Sequence, residues 1–393
     1  MISEEEARAR ILQSISLLPA RNIVLGEALD CFAGQDYFAR VALPGFDNSA
    51  MDGYAVVAAS CSAGKSLRVA GEQPAGVDRN LRVSTSQAVR IFTGAPLPAG
   101  ADAVVMQEDV TRDGAAVVIN AKVEAGDFIR RRGCDLSEGQ KIVTKGERIR
   151  AAVAALLASQ GIAEVKVGGE VDAAVISTGD ELVPLSEKLH PGQIYDSNAV
   201  LLAALLRQIN TRVASVEHCA DDQTKLTDAI KRASKHRVLI ISGGVSVGEH
   251  DLVKAALQSL GGTIELWRVA VKPGKPFLFG HIGDCAVFGL PGNPVSAFVT
   301  FLKFVRPAIL KMMGGNEAEL ECSRFPARLT TDLGNDGDRV HYLRGRLKEG
   351  EFQPIGRQES HALFGLSQSN ALLRLPPGVN LKSGAIVEVE VWD

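Results

Sequence analysis

A serine- and glycine-rich segment in the middle of the chain has the clearest capacity for chemistry. Arg237–Ile241 is a short, β-branched apolar run of the length of a buried strand, Ser242–Gly248 follows it directly, and a helix is predicted to begin near Asp251. Three glycines beside two serines let backbone N–H groups and hydroxyls converge at the positive end of a helix dipole, which favours a phosphate or another oxyanion. The alternative is a tight turn that only closes a strand–helix unit.

Two further loops carry side chains that complement an anion site. Glu181 follows a predicted strand, and Asp251 supplies a second carboxylate, so the two can hold a magnesium ion. Lys272 and Lys275 lie in a loop braced by prolines and supply cations for an oxyanion. This combination is typical of a site for a phosphorylated substrate. The alternatives are that Asp251 only caps a helix and that the lysines are only solvated.

These loops need a scaffold that brings strand ends together. The predicted strands of the middle region are 171–176, 212–216, 237–241, 263–266 and 285–288, with helices at 198–208 and 224–234. Such alternation predicts a doubly wound, mostly parallel α/β domain. Ligands of open sheets of this kind bind beyond the carboxyl ends of the strands, so we expect the loops to face one crevice.

Regions rich in short strands lie on both sides of this alternation. β-branched runs broken by glycine and proline between 56 and 123 predict a small inserted β domain, and similar runs from 324 to 391 predict a C-terminal β barrel or sandwich. The predicted fold class is therefore a multidomain α/β and β protein.

Composition narrows the class of protein. The chain has 393 residues, a net charge of −3 and 23% charged residues, which is typical of a globular protein and not of a non-specific nucleic-acid binder. No apolar run approaches the ~20 residues of a membrane span, and the acidic start is unlike a signal peptide, so we expect a cytoplasmic location. Six scattered cysteines and seven histidines show no metal-ligand spacing, so neither a disulfide framework nor a structural zinc site is predicted.

The first third of the chain contains three more segments that can bind a ligand. The loop 43–54 combines Asp47, Asn48 and Asp52 with aromatic and hydroxyl groups, although turn chemistry also explains Asp47 and Asn48. Thr93 precedes a rigid stretch of prolines and glycines that alternatively is only a stiff connection. Arg130–Asp135 places three arginines beside a carboxylate, as in a phosphate contact or a solvated face.

Taken in register, these segments resemble the molybdopterin molybdenumtransferase family, which includes the C-terminal domain of gephyrin. The matching stretches are 46–54, 92–102, 131–135, 177–181, 195–198, 242–251, 272–276 and 290–294. The resemblance implies transfer of molybdate into adenylylated molybdopterin, with release of AMP and a requirement for Mg²⁺. It also implies a homodimer with shared active sites, transient contact with upstream and downstream proteins of the cofactor pathway, and neither nucleic-acid nor membrane partners.

The resemblance also implies roles for particular residues. Glu181, Asp251, Lys272 and Asp52 are the expected catalytic residues, and Asp221 joins Glu181 and Asp251 as a third candidate metal ligand. The expected substrate-binding residues are Thr93, Asp135, Thr178, Asp221, Gly243, Gly244, Ser246, Gly248, Arg268, Lys275, Pro291 and Pro294. Arg268 stands where the family has a lysine, which keeps the charge but changes the donor geometry. Asp52, Thr93 and Asp135 are expected to come from the facing subunit. Arg344, Ser360 and Ser367 match only loosely.

The same reading gives four expected domains. They are a discontinuous linker and dimerisation domain of residues 1–43 and 127–168, an inserted β domain of residues 44–126, a molybdopterin-binding α/β domain of residues 169–315, and a C-terminal β domain of residues 316–393.

Two other functions fit parts of the sequence. Gly244–Gly248 satisfies Gly-x-Ser-x-Gly, which would make Ser246 the nucleophile of a serine hydrolase, although no oxyanion-hole motif precedes it. A gephyrin-like binding scaffold is the other alternative. The hydrolase would leave the lysine and proline loops unexplained, and the scaffold would not need the acidic and basic loop residues for AMP release.

Overall fold

The protein is described by a computed structural model that covers residues 1–244 and 252–392. The helices in chain order are α1 Glu4–Ser14, α2 Ala151–Ser159, α3 Ser197–Gln208, α4 Gln223–Ala233, α5 Leu252–Ser259, α6 Pro294–Thr300, α7 Arg306–Met312, α8 Glu317–Leu320 and α9 Leu363–Ser367. A π-helical turn, Phe301–Val305, joins α6 to α7, and short 3-10 turns occupy Leu25–Glu27, Ala58–Ser60 and Gln107–Asp109.

The strands of the first half are β1 Arg21–Val24, β2 Tyr37–Phe38, β3 Asn48–Ser49, β4 Gly53–Val56, β5 Ser66–Gln73, β6 Gln87–Ile91, β7 Ala103–Met106, β8 Val110–Asp113, β9 Ala116–Ile119, β10 Ile129–Arg130, β11 Lys141–Val143, β12 Glu164–Val167, β13 Asp172–Thr178, β14 Leu182–Val183 and β15 Ile194–Tyr195. Those of the second half are β16 Arg212–Cys219, β17 Val238–Ser242, β18 Thr263–Trp267, β19 Val271–Lys272, β20 Leu278–Ile282, β21 Cys285–Leu290, β22 Ser323–Leu329, β23 Leu333–Gly334, β24 Val340–Lys348, β25 Glu351–Pro354, β26 Ala371–Leu375, β27 Asn380–Leu381 and β28 Ile386–Val391.

Two compact units divide the chain. The first consists of residues 1–35, 145–154 and 163–393, and the second of residues 36–144 and 155–162. The chain thus enters the second unit after β1 and returns to the first at residue 145. It passes once more into the second unit within α2 and re-enters the first at residue 163.

The first unit is built around a six-stranded sheet with strand order β16-β13-β17-β21-β20-β18. Its first four strands are parallel to one another. The last two pairings, β21 with β20 and β20 with β18, are antiparallel. Alternate residues of β13 enter two different cores: Ala173 and Val175 pack with α3 and α6, whereas Ala174 and Ile176 pack with α4 and α5. Helices therefore cover both faces of the sheet, which confirms the predicted doubly wound α/β domain.

The helices of this layer begin where short polar side chains cap them. Asp196 accepts a hydrogen bond from the amide of Ala199 at 3.0 Å and starts α3, and Asp222 accepts one from Lys225 at 2.8 Å and starts α4. Pro307 lacks an N–H group for the carbonyl of Lys303, and the π-helical turn lies at this point of the rod formed by α6 and α7.

The C-terminal part of the first unit is a closed barrel. Strand order β24-β25-β22-β28-β26 returns to β24 through the β24–β26 pairing, and β19 adds a parallel pair at the start of β24. A buried ion pair braces this region, since the Lys303 ammonium lies 2.9 Å from Glu390 and 3.9 Å from Glu4 of α1. The expected barrel or sandwich is therefore a barrel.

The second unit contains the predicted β insertion. Its main sheet has six strands in the order β7-β4-β6-β5-β9-β8, around a core that includes Tyr54, Leu67 and Val117. Two small pairs, β3 with β10 and β2 with β11, lie beside it in the same unit.

Sequence patterns missed two elements of the central layer. β20 was not predicted, because Gly280 and His281 interrupt its apolar run; a Cβ on Gly280 would lie 2.0 Å from the carbonyl oxygen of Thr263 on the neighbouring strand. The rod from Pro294 to Met312 was not predicted either. It is almost entirely buried and its only charged residues are Lys303, Arg306 and Lys311, so no clear amphipathic pattern marks it.

Candidate active site

A cavity of about 1100 Å³ opens at the carboxyl ends of the parallel strands of the first unit. The loops after β13, β17, β19 and β21 contribute to it, together with the start of α3 and barrel residues near β24. The described residues around it include both lysines of the predicted lysine loop and the carboxylates of Glu181 and Asp221. The three loops singled out by their chemistry, together with the matching stretch 290–294, therefore contribute to one cavity, as the parallel topology predicts.

The carboxylates lie beside the loop that follows β13. Thr178 Oγ1 donates to Asp221 Oδ1 at 2.7 Å, which ties the end of β13 to the loop before α4. The Glu181 side chain is exposed and folds over Gly179, where an added Cβ would lie 2.6 Å from Glu181 Oε2. Only glycine fits this position, because Gly179 also has a φ of 152°.

The glycine loop after β17 packs tightly against β13. Gly243 and Gly244 have φ values of 89° and 64°, and a Cβ on Gly243 would lie 2.2 Å from the carbonyl oxygen of Thr178. Both glycines line the cavity, so the backbone itself forms part of the wall. Ser246, Gly248 and Asp251 lie outside the described residues.

The lysine loop follows β19 and is anchored on α6. Gly274 has a φ of 130°, and a Cβ there would lie 2.7 Å from Thr300 Cγ2. Pro273 and Gly274 are buried while Lys272 is exposed, so a packed backbone presents an exposed lysine side chain to the cavity. Lys275 lines the cavity too, as do Pro291 and Pro294 of the loop after β21.

The barrel contributes residues that the sequence analysis did not identify. The parallel pairing of β19 with β24 places Lys272 beside His341, and Arg339, Gln358, Glu359 and His361 line the same cavity. Burial and the nearby cations Lys272, Arg339 and Arg344 lower the pKa of His341 to about 4, so its imidazole is neutral at pH 7. Sequence offers no local signal for these residues, because a pairing between strands distant in the chain brings them to the cavity.

The three loosely matched residues lie at or near this barrel wall. Ser360 lines the cavity and accepts a hydrogen bond from Asn293 Nδ2 at 3.0 Å. Arg344 is buried, and its backbone pairs with the side chain of Gln358 at 2.9 and 3.0 Å. Ser367 ends α9, where its hydroxyl donates to the carbonyl of Phe364 at 2.8 Å.

Arg268 is not among the described residues that line the cavity. Its guanidinium carbon lies 4.4 Å from the ring centroid of Trp267, and its backbone N–H donates to the carbonyl of Phe277 at 2.9 Å. The φ of Arg268 is 72°, a left-handed conformation that is uncommon outside glycine.

Asp52, Thr93 and Asp135 belong to the second unit. Asp52 Oδ1 accepts hydrogen bonds from the backbone N–H and the hydroxyl of Thr93, both at 2.8 Å, and these bonds lower the pKa of Asp52. Asp135 is exposed, and its backbone N–H donates to the carbonyl of Leu43 at 3.0 Å. The structure therefore joins Asp52 to Thr93 and connects Asp135 to the loop that begins at Leu43.

The described part of the chain was also compared with the requirements of a metal cluster and of a membrane segment. Within residues 1–244 and 252–392, no three His, Cys, Asp or Glu residues are grouped closely enough to hold a metal ion. Over the same ranges, no helix combines the length and apolarity needed to cross a bilayer.

Comparison with known proteins gives matches along the chain. Residues 2–161 match the family described as MoeA N-terminal region (domain I and II), residues 174–311 the probable molybdopterin binding domain, and residues 326–392 the MoeA C-terminal region (domain IV). Two relatives named molybdopterin molybdenumtransferase are similar: one from Haemophilus influenzae is 36% identical, covering 100% of this chain and 99% of that protein, and one from Nostoc sp. is 38% identical, covering 85% and 80%.

Solved structures show the same likeness. The molybdopterin biosynthesis moeA protein from Pyrococcus horikoshii OT3 aligns with a TM-score of 0.84 at 27% identity, covering 100% of both chains. A second structure of a moeA protein from this source has a TM-score of 0.80 at 30% identity, covering 100% of this chain and 99% of that one.

The α/β layer with its strand-end cavity, the closed barrel and the inserted β unit together define a multidomain transferase of molybdenum cofactor biosynthesis. The chain belongs to the molybdopterin molybdenumtransferase (MoeA) family. This membership favours neither a serine hydrolase nor a binding scaffold.

Proposed function

We propose that this protein transfers molybdenum from molybdate into adenylylated molybdopterin and releases AMP. The observation that carries the proposal is the cavity, in which carboxylates, lysines and a glycine wall surround one space. A phosphoanhydride and a molybdate ion are both anionic and rich in oxygen, and both need several donors together with screening of charge. The family membership supplies the identity of the substrates.

Lys272 and Lys275 would bind the oxyanions. Their ammonium groups are point charges with rotatable donors, which suits tetrahedral anions of differing size. His341 is neutral beside Lys272, so this side chain adds a polar group next to the lysine without adding charge. The backbone of Gly243 and Gly244 would bind phosphate oxygens, because no side chain stands between it and the cavity.

The carboxylates fit a magnesium ion. Mg²⁺ is commonly held by one or two carboxylates with substrate phosphates and water, and Glu181 and Asp221 are both exposed beside the same cavity. When bound, the ion would neutralise charge on the phosphoanhydride. Glu181 and Asp221 would hold it, with Thr178 orienting Asp221 through its hydroxyl. Asp251 stays a candidate third ligand from sequence.

We also propose that the active protein is a homodimer in which Asp52, Thr93 and Asp135 of one subunit complete the site of the other. This rests on the resemblance to the family. The hydrogen bonds from Thr93 support it, because they lower the pKa of Asp52 and orient its carboxylate, which suits a ligand-binding group. A role in cofactor synthesis would also require transient contacts with the proteins that deliver the adenylylated pterin and receive the cofactor.

The test is direct. Purified protein is mixed with adenylylated molybdopterin, molybdate and Mg²⁺, and AMP is measured over time. AMP release that requires both molybdate and Mg²⁺ supports the proposal. No release from freshly prepared substrate, or equal release without molybdate, would count against it. Omission of Mg²⁺ and treatment with a covalent serine probe are the matched controls for the metal and for a hydrolase.

A further inference from the structure

Asn198 occupies an unusual place in the cavity wall. It is the second residue of α3, and only 8% of its surface is exposed although it lines the cavity. The start of the helix is fixed independently, because Asp196 caps it and also accepts a hydrogen bond from Ser177 at the end of β13. The position of Asn198 is therefore set by the sheet.

The amide nitrogen of Asn198 connects the end of β17 to the loop after β21. Nδ2 donates to the carbonyl oxygen of Gly292 at 2.7 Å and to Ser242 Oγ at 2.9 Å. A backbone carbonyl only accepts hydrogen bonds, so the nitrogen of the amide must face Gly292. Both protons of Nδ2 are thus used, one on the last residue of β17 and one on the loop after β21.

This arrangement decides what the Ser242 hydroxyl can do. A serine hydroxyl has one proton and two lone pairs, and Asn198 occupies one lone pair. Among the described residues, the proton of Ser242 has no acceptor, and Ser242 lines the cavity. The hydroxyl is thereby left as a donor with nothing in the described protein to accept from it.

The oxygen of the Asn198 amide shows the cost in stability of this side-chain orientation. Asn198 Oδ1 is buried and has no hydrogen-bond partner among the described residues. Buried acceptors are nearly always paired, and an unpaired one destabilises the fold. Packing alone does not explain an asparagine that carries this cost. The two hydrogen bonds of its Nδ2 are the compensating contribution that the structure shows.

We propose that Asn198 is a positioning residue that turns the Ser242 hydroxyl into a donor for a tetrahedral oxyanion in the cavity. The inference rests on the proposed function, since it assigns one more contact to the substrate of that site. The oxyanion is a phosphate of the adenylylated pterin or molybdate. Asn198 also fixes the spacing of the two loops through Gly292, so both walls of the anion subsite depend on one side chain.

The experiment is a double-mutant cycle with Asn198→Ala, Ser242→Ala and both together. Calorimetric titration with inorganic pyrophosphate and, separately, with molybdate gives the affinity for each anion. Loss of a hydrogen bond to a charged group corresponds to about a tenfold or larger rise in Kd for the anion that Ser242 contacts. We expect a rise of this size from each single variant and little further rise in the double variant, because both changes remove the same donor.

Two more variants separate positioning from folding. Asn335 is a buried asparagine of the barrel whose Nδ2 also donates to two carbonyls, those of Arg339 and Leu375, both at 2.9 Å. Asn335→Ala should lower thermal stability without changing either Kd. Asn198→Asp keeps the shape but lacks the donor, so it should bind the anion at least as weakly as Asn198→Ala.

Additive effects of the two alanine variants, wild-type affinity in Asn198→Asp, or no binding of either anion by the unmodified protein would overturn the inference. The titrations do not depend on turnover. If the unmodified protein binds these anions but releases no AMP, the proposed function fails while the role of Asn198 still stands or falls on the cycle.

Discussion

At the scale of single residues, the cavity holds both a carboxylate and an ammonium group. On a surface with only a structural role, such groups would be expected to form an ion pair. Glu181 and Lys272 are both exposed and line the same cavity, yet no ion pair joins them in the described structure. Charged side chains that stay apart in a concave space remain available to a ligand. Their separate roles can be tested by substitution.

Glu181→Ala should abolish Mg²⁺-dependent AMP release while the protein remains folded. The side chain is exposed, so its removal should change the unfolding transition little, whereas a metal-binding carboxylate has no substitute in alanine. AMP assays over a range of Mg²⁺, with thermal unfolding measured in parallel, check both parts. Glu187→Ala, an exposed carboxylate in the same region, is the control. Normal turnover by folded Glu181→Ala would remove this residue from the mechanism.

Lys272→Ala should weaken the use of molybdate far more than Lys272→Arg. Losing a charge-assisted donor costs about 1.5–3 kcal/mol, whereas arginine keeps the charge with altered geometry. The KM for molybdate, measured from AMP release at saturating pterin, should rise at least about tenfold in the alanine variant. High molybdate should partly restore its rate. If the KM for molybdate is unchanged while that for the pterin rises, the lysine serves the pterin phosphate instead.

At the scale of elements, the junction of β19 and β24 joins the α/β layer to the barrel and places His341 beside Lys272. Burial and three cations, Lys272, Arg339 and Arg344, favour its neutral form. The same contacts that shape the cavity wall therefore make the stability of the fold depend on pH.

Acid should destabilise the protein partly through His341. Its folded pKa of about 4 lies below the ordinary value of 6.5, so the unfolded chain takes up the proton first as the pH falls. This contribution to stability is complete above pH 6.5 and is lost between pH 6.5 and 4. At pH 5 the loss should be about 2 kcal/mol relative to pH 7.5.

Urea denaturation at pH 7.5 and 5, compared between the unmodified protein and His341→Gln, measures the contribution of His341 to the loss of stability in acid. The variant should lose less stability on acidification, by roughly the stated 2 kcal/mol. His190→Gln, at an exposed position, is the control. An identical pH dependence in His341→Gln and the unmodified protein would show that the imidazole is not the group responsible.

At the scale of the whole molecule, Asp52 and Glu181 belong to different compact units. If the proposed dimer exists, each active site takes Glu181 from one subunit and Asp52 from the other. A shared site therefore predicts that two inactive variant chains can restore activity together, which sites formed within one chain would not allow.

Glu181→Ala and Asp52→Ala chains, each inactive alone, should regain activity when they are co-expressed in equal amounts. A mixed two-fold dimer carries both defects in one site and neither in the other. Random pairing makes about half of the dimers mixed, so roughly a quarter of all sites should be intact. AMP release near that fraction supports the shared site. No activity in a sample whose mixed dimers are confirmed by mass spectrometry would argue that both residues act within one chain or that the sites are coupled.

Local sequence determined the elements whose signals are contained in a few residues. Ser3 and Glu6 mark the start of α1, β-branched runs mark β13 and β17, and glycines mark the loop after β17. The order of these elements also implied a parallel sheet, because strands that alternate with helices have few other ways to bury their apolar faces. Fold class and the loops of the candidate site followed from this.

Only the tertiary structure decided which residues meet around the cavity. His341 and Arg339 lie at the start of a barrel strand whose pairing with β19 has no local signal. The rod that begins at Pro294 is buried over nearly its whole length, so it shows no clear amphipathic pattern. Asn198 was visible in the sequence, but its bonds to Ser242 and Gly292 were not. Periodicity reports the burial of one element, whereas contacts between distant segments depend on how several elements pack together.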